Sequence, residues 1–133
     1  MKIITLDGPA GAGKSSTARA LAYELGWYHM DTGAMYRAVA LAALEQEISL
    51  ENEKDLAVLA SHVDIQSAHG AVFLNGRDVS GEIRFDRVTR ATRFVADAPS
   101  VREEMKKKQQ SLSTKFDLVT AVSYTHLTLP TTL

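Results

Sequence analysis

At 133 residues the chain is long enough for one domain with a core of its own, and 45% hydrophobic against 23% charged residues is the balance of a soluble globular protein. Fifteen basic residues against sixteen acidic ones give a net charge of -1, so no general field draws nucleic acid or an anionic membrane. With no cysteine, disulfides, thiolate zinc sites and cysteine nucleophiles are excluded.

In chain order, residues 2–6 read as a short buried strand closed by Asp7-Gly8-Pro9. A glycine-rich turn follows, then a helix from Lys14 to Leu25 with Ala18, Leu21, Ala22 and Leu25 on one apolar face and Gly26 as its stop. Trp27 to Met30 reads as a second strand, and Asp31-Thr32-Gly33 turns it into a helix through Leu44. A strand–helix–strand unit of this kind makes its two strands parallel. A further helix is expected over Leu50 to His62, with Leu56, Leu59, Ala60 and Val63 at helical spacing. The character then changes. Residues 63–66 and 71–74 read as short strands, and Asn75-Gly76 is the preferred two-residue hairpin turn. Residues 84–97 and 99–112 read as helices broken at Ala98-Pro99, and Phe116 to Thr120 as a third core strand. Residues 121–133 are rich in Thr and Leu, have no helical period, and are read as a non-native tail. His29, His62, His69 and His126 are scattered and form no ligand pair at helical spacing. The apolar opening is too short for a signal peptide and no run reaches membrane-spanning length, so a cytoplasmic protein without membrane partner is expected.

Gly8-Pro9-Ala10-Gly11-Ala12-Gly13-Lys14-Ser15 fits the phosphate-binding pattern G-x-x-x-x-G-K-[ST], placed between an apolar strand and an amphipathic helix as that motif requires. Glycines let successive N–H groups converge on one anion, and the helix N-terminus adds its dipole. Lys14 is a mobile cation for the β- and γ-phosphates, Ser15 offers a hydroxyl to Mg²⁺, and Ser16 lies near the α-phosphate. The motif alone leaves ATPase, GTPase and kinase open. The second turn narrows the choice: Asp31-Thr32-Gly33-Ala34-Met35-Tyr36-Arg37 puts a carboxylate, a hydroxyl, a phenol and a guanidinium on one turn and the next. By themselves these residues serve a helix cap with a solvated arginine as well as a site.

Taken together, Gly8–Ser15, Asp31–Arg37, Asp78-Val79-Ser80-Gly81-Glu82-Ile83-Arg84, Pro99-Ser100-Val101-Arg102-Glu103 and Phe116–Val119 resemble the bacterial cytidylate kinases, over residues 2–120. The resemblance implies an α/β P-loop NTPase fold of three layers with a parallel sheet, incomplete in this stretch. It divides the chain into a kinase core at 1–62 and 81–120 and an antiparallel insert at 63–80 beside the monophosphate site. It implies an ATP- and Mg²⁺-dependent kinase of CMP or dCMP, working as a monomer on small molecules and not on nucleic acid. Gly8 to Ser16 would hold ATP; Thr32, Tyr36, Arg37 and Arg102 would line the CMP site, with Asp31 bracing it and Asp78 and Arg84 as weaker candidates. Lys14 and Arg37 would be the catalytic cations and Ser15 the metal ligand.

The acceptor is a phosphate oxygen, already largely anionic because the second pKa of a phosphate monoester is about 6, so no general base is needed. What remains is alignment and charge stabilisation. In the family the third strand runs into an acidic-Gly-Arg-Asp segment, a lid and a C-terminal helix that supply further arginines, where this sequence has Ala121-Val122-Ser123. Residues 1–133 alone are therefore expected to be nearly inactive and marginally stable, a nucleotide-binding piece at most. Among rivals, adenylate and shikimate kinases lack the hairpin insert, and a guanine-selective switch would need a base-reading motif that is not found.

Overall fold

A computed structural model describes residues 2–8, 13–68 and 70–123. In chain order these form β1 (Ile3–Gly8), α1 (Lys14–Leu25), β2 (Tyr28–Met30), α2 (Thr32–Glu45), α3 (Glu53–His62), β3 (Ile65–Ala68), β4 (Ala71–Leu74) and β5 (Arg77–Asp78). A single 3-10 turn at Glu82–Arg84 follows, then α4 (Asp86–Asp97), α5 (Pro99–Lys115) and β6 (Leu118–Ser123). The chain divides into two compact units, one of Met1–Thr32, Ser67–Gly70 and Lys106–Leu133, the other of Gly33–Gln66 and Ala71–Met105.

The first unit holds a parallel three-stranded sheet of order β1-β6-β2. The strand latest in sequence is its middle. β6 pairs with β1 from Ile3↔Leu118 to Gly8↔Ser123 and with β2 from Tyr28↔Leu118 to Met30↔Thr120. Leu118, Val119 and Thr120 are fully buried, as a central parallel strand requires. The Thr120 hydroxyl donates to the Met30 carbonyl at 2.8 Å, which satisfies the one polar side chain there. Ala18 and Ala22 of α1 pack on Val119, with Ile4, Leu6, Leu21, Trp27 and Ala121 partly buried around them. Leu25, expected on that face, is exposed at the helix end.

The third strand was expected over 116–120 and lies two residues later, because Asp117 serves as a junction. Its carbonyl accepts from Tyr28 N at 2.9 Å, and its carboxylate accepts from Lys2 N at 2.7 Å. Phe116 instead stacks on Tyr28, ring centroids 5.0 Å apart and 13° from parallel. α1 ends as expected at Gly26: φ is 70°, and the N–H groups of Gly26 and Trp27 donate to Tyr23 and Ala22 carbonyls in a Schellman arrangement.

The second unit is built on α2, apolar nearly all round and buried from Ala38 to Ala43. α2 also ends in a Schellman turn, but with Glu47 at φ 56° where glycine is usual. α3 starts at Glu53 and not at Leu50, because the Asn52 side chain accepts from Asp55 N at 3.0 Å and caps it. Leu56, Leu59, Ala60 and Val63 are buried, as their spacing predicts. β3, β4 and β5 form a separate three-stranded sheet in that order. Asn75 and Gly76 both adopt positive φ, 50° and 84°, and close β4 onto β5 with Leu74 opposite Arg77. Asn75 is also fastened to Asp64, N to O at 2.8 Å and Oδ1 from N at 2.9 Å. α4 buries Val88, Ala91 and Val95 on one stripe. No helix among the described residues is long and apolar enough to cross a membrane.

Candidate functional site

In the first unit, β1 ends on Gly8, the opening residue of the phosphate motif, and α1 begins at Lys14. Pro9, Ala10, Gly11 and Ala12 lie outside the described residues. Gly13 is held at φ 76°, ψ 17°, with open space where a Cβ would stand, so backbone conformation and not crowding demands glycine there. No side chain caps this end of α1 and its first turn has no acidic residue. Thr17, exposed, folds back on its own helix, its N–H and hydroxyl both donating to the Gly13 carbonyl. An uncapped helix start after a left-handed glycine is suited to an anion. Lys14 and Ser15 are its first two residues; their side chains lie outside the described set.

The exposed side of α1 borders a cavity of about 780 Å³ whose walls include Ser16, Arg19, Tyr23, Tyr28, His29 and Phe116. The Tyr28 hydroxyl accepts from Ser67 N at 2.9 Å. Burial lowers the His29 imidazole below its ordinary value; Asp31 opposes the shift and Arg19 reinforces it. Asp31 is half-buried before α2, and Thr32, the first residue of α2, is only 3% exposed.

In the second unit, Tyr36 is buried on α2, and desolvation raises its phenol above the usual value, against an opposing pull from the Arg102 cation. Tyr36 and Arg102 are thus brought within electrostatic reach. Arg37 has partners of its own. Its Nη1 donates to the Ile83 carbonyl at 3.0 Å and to Thr89 Oγ1 at 2.8 Å. Arg102 is exposed on the first turn of α5, and that turn is tied to α3: Glu53 accepts from both the N–H and the hydroxyl of Ser100. These two bonds hold the Glu53 carboxyl below its usual value.

A sequence model of the family described as cytidylate kinase matches residues 4–121. The chain belongs to the cytidylate kinase family. It is 47% identical over 120 residues to a protein named cytidylate kinase from Bacillus cereus strain B4264, covering 87% of this chain and 53% of that one. Proteins of the same name from Bacillus thuringiensis strain Al Hakam and Bacillus anthracis strain CDC 684 are 46% identical over the same shares. The chain spans about half the length of these curated relatives. The α/β fold with a parallel sheet and a small antiparallel one accords with the family.

Two weaker cytidylate kinase candidates have other visible occupations. Asp78 accepts from Ser80 N at 2.9 Å and from Ser80 Oγ at 2.6 Å, which lowers its carboxyl; Ser80 Oγ in turn accepts from Val72 N. That braces the hairpin. Arg84 is exposed, its N–H closing the 3-10 turn on the Gly81 carbonyl. Thr89 and Glu53 were not singled out by sequence. Each meets its partner across more than forty residues, and no local pattern announces such a contact. No cluster of three or more His, Asp or Glu able to hold a metal occurs among the described residues.

Proposed function

We propose that this chain carries the triphosphate-binding and acceptor-side portions of an enzyme that transfers the γ-phosphoryl group of ATP to CMP or dCMP, giving ADP and CDP or dCDP. The observation that supports it most is the family match over residues 4–121, which takes in both the phosphate motif and the Asp31–Arg37 turn. Gly8 to Gly13 would wrap the phosphates, Lys14 would bridge the β- and γ-groups, and Ser16 would lie by the α-phosphate. The uncapped start of α1 and the left-handed Gly13 fit that task. Mg²⁺, when bound, neutralises charge on the transferring group, and Ser15 would be its protein ligand beside phosphate oxygens. Because Mg²⁺ keeps several waters and takes substrate phosphate oxygens, Ser15 would supply only one of its ligands.

On the acceptor side Thr32, Tyr36, Arg37 and Arg102 would hold CMP, with Asp31 bracing them. Tyr36 remains a neutral hydroxyl, since burial raises its pKa, and so acts as a hydrogen-bonding group and not as a base. Arg37 supplies a planar fork for the acceptor phosphate and for the spreading charge of the transition state. We assign the core to 1–62 and 81–120 and the acceptor-side insert to 63–80, read 121–133 as a non-native tail whose first three residues nevertheless continue β6, and place the reaction in the cytoplasm. The monomer is its working form.

The complete gene product, given ATP and Mg²⁺, is expected to phosphorylate CMP and dCMP well ahead of AMP or shikimate in a coupled ADP-release assay. A preference for AMP or shikimate overturns the assignment. Lys14→Ala and Arg37→Ala should each lower kcat by about 10³. The 133-residue polypeptide should bind ATP in a calorimeter with little turnover; turnover within tenfold of a full-length relative would overturn the expectation of inactivity.

A further inference from the structure

Arg37 is held from two sides before any substrate arrives. Its Nη1 group has two hydrogens, and both are engaged, one on the Ile83 carbonyl at 3.0 Å and one on Thr89 Oγ1 at 2.8 Å. The fork can no longer spin about its Nε–Cζ bond without breaking both. The Nε and Nη2 edge takes no part in these two bonds, and it is the edge whose parallel N–H groups match two oxygens of a phosphate. Ile83 is buried, and its carbonyl belongs to the 3-10 turn, so that acceptor is fixed by backbone. Thr89 is different. It sits on the first turn of α4, where Val88 and Ala91 anchor the helix to the core, and its hydroxyl is the one side-chain acceptor of the pair.

We infer that Thr89 is a positioning residue: its hydroxyl orients the Arg37 guanidinium so that the Nε–Nη2 edge is presented to the acceptor phosphate. This inference rests on the phosphate-clamping role proposed for Arg37. Without the hydroxyl, Nη1 keeps only the Ile83 carbonyl, about which the fork can swing. Part of the ordering would then fall on the binding step, with an expected loss of about tenfold, the size of one hydrogen bond to a charged group.

The test uses Thr89→Val, which keeps the branched shape, and Thr89→Ser, which keeps the hydroxyl, in the complete gene product. Thr89→Val should lower kcat/KM for CMP about tenfold and leave KM for ATP unchanged, and Thr89→Ser should restore the value to within about twofold. On the 133-residue chain, the Arg37 guanidinium NMR signal should show slow Nε–Cζ rotation in the parent and in Thr89→Ser, and faster rotation in Thr89→Val. Unchanged kcat/KM and unchanged rotation in Thr89→Val overturn the inference, as does an equal loss for CMP and ATP, which marks a merely structural residue. If Thr89→Val does not fold, the decision passes to Thr89→Ala, read by the same rotation and the same CMP-against-ATP split. Arg37→Lys separates the underlying reading. A drop for Arg37→Lys with none for Thr89→Val or Thr89→Ala removes Thr89 alone; no drop for Arg37→Lys removes the clamp itself.

Discussion

His29 and Thr120 illustrate how single side chains are committed in the first unit. His29 is half-buried, and burial lowers its pKa in the folded state below the usual value of about 6.5. Between the two values the unfolded chain binds the extra proton and the folded chain does not, so stability rises with pH there. The contribution is whole above about pH 6.5 and is lost as pH falls toward and below the folded value. His29→Gln should flatten this segment of a urea-midpoint-against-pH curve; an unchanged slope would count against burial as the cause. Thr120→Val removes a buried hydroxyl from the Met30 carbonyl while keeping shape, and should cost about 1 kcal/mol in chemical denaturation. A loss above about 3 kcal/mol would point to repacking of the sheet centre instead. Neither commitment is visible in the sequence, where His29 and Thr120 look like ordinary strand residues.

The ends of elements separate what could be read locally from what could not. The stop at Gly26 and the Asn75-Gly76 turn are both announced by residues that tolerate positive φ, and both stand where sequence puts them. The close of α2 is unannounced, because Glu47 takes the left-handed position that glycine normally fills. α3 was read three residues early, because Leu50 fits the apolar period while the capping Asn52 decides the start. The β4 strand was legible with its turn, whereas β3, expected over 63–66, lies at Ile65–Ala68 because Val63 still caps α3. The order β1-β6-β2 was not, since β6 lies more than eighty residues beyond β2 and pairing at that separation leaves no local mark. Of the candidate site, the residue types were legible from motif spacing. The engagement of Arg37 with Ile83 and Thr89 was not, and neither was the Glu53–Ser100 link that secures the turn bearing Arg102. Glu47→Gly should therefore stabilise the chain by about 1 kcal/mol, and Gly26→Ala should destabilise it by about the same, both by relieving or adding left-handed strain. If thermal melts move the same way for both, the strain argument is wrong.

At the scale of the molecule the two units differ in what they bury. The sheet unit has small residues, Ala18 and Ala22, at the heart of its helix contact, and leaves Tyr23 74% and Phe116 41% exposed. The helical unit fully buries more large side chains, Leu41, Leu56, Ile83, Val88, Val95 and Met105 against Met30, Leu118 and Val119 in the sheet unit, although it too leaves Phe85 51% and Phe94 49% exposed. Apolar area sets most of the resistance to local opening. Amides of β1 and β2 should thus exchange with deuterium ahead of those of α3 and α4, and the reverse order would refute this ranking. The central place of β6 has a further consequence for synthesis. A ribosome releases β1 and β2 first, yet neither pairs with the other; both must wait for residues 118–123 to emerge before either ladder of this sheet can close. The helical unit, almost contiguous from Gly33 to Met105, is complete by then. A nascent chain stalled with residue 110 at the tunnel mouth would carry a folded helical body and a bare phosphate-motif strand, and its first twenty-odd residues should be cut by protease, whereas a chain stalled with all of β6, through Ser123, outside the tunnel should be protected there.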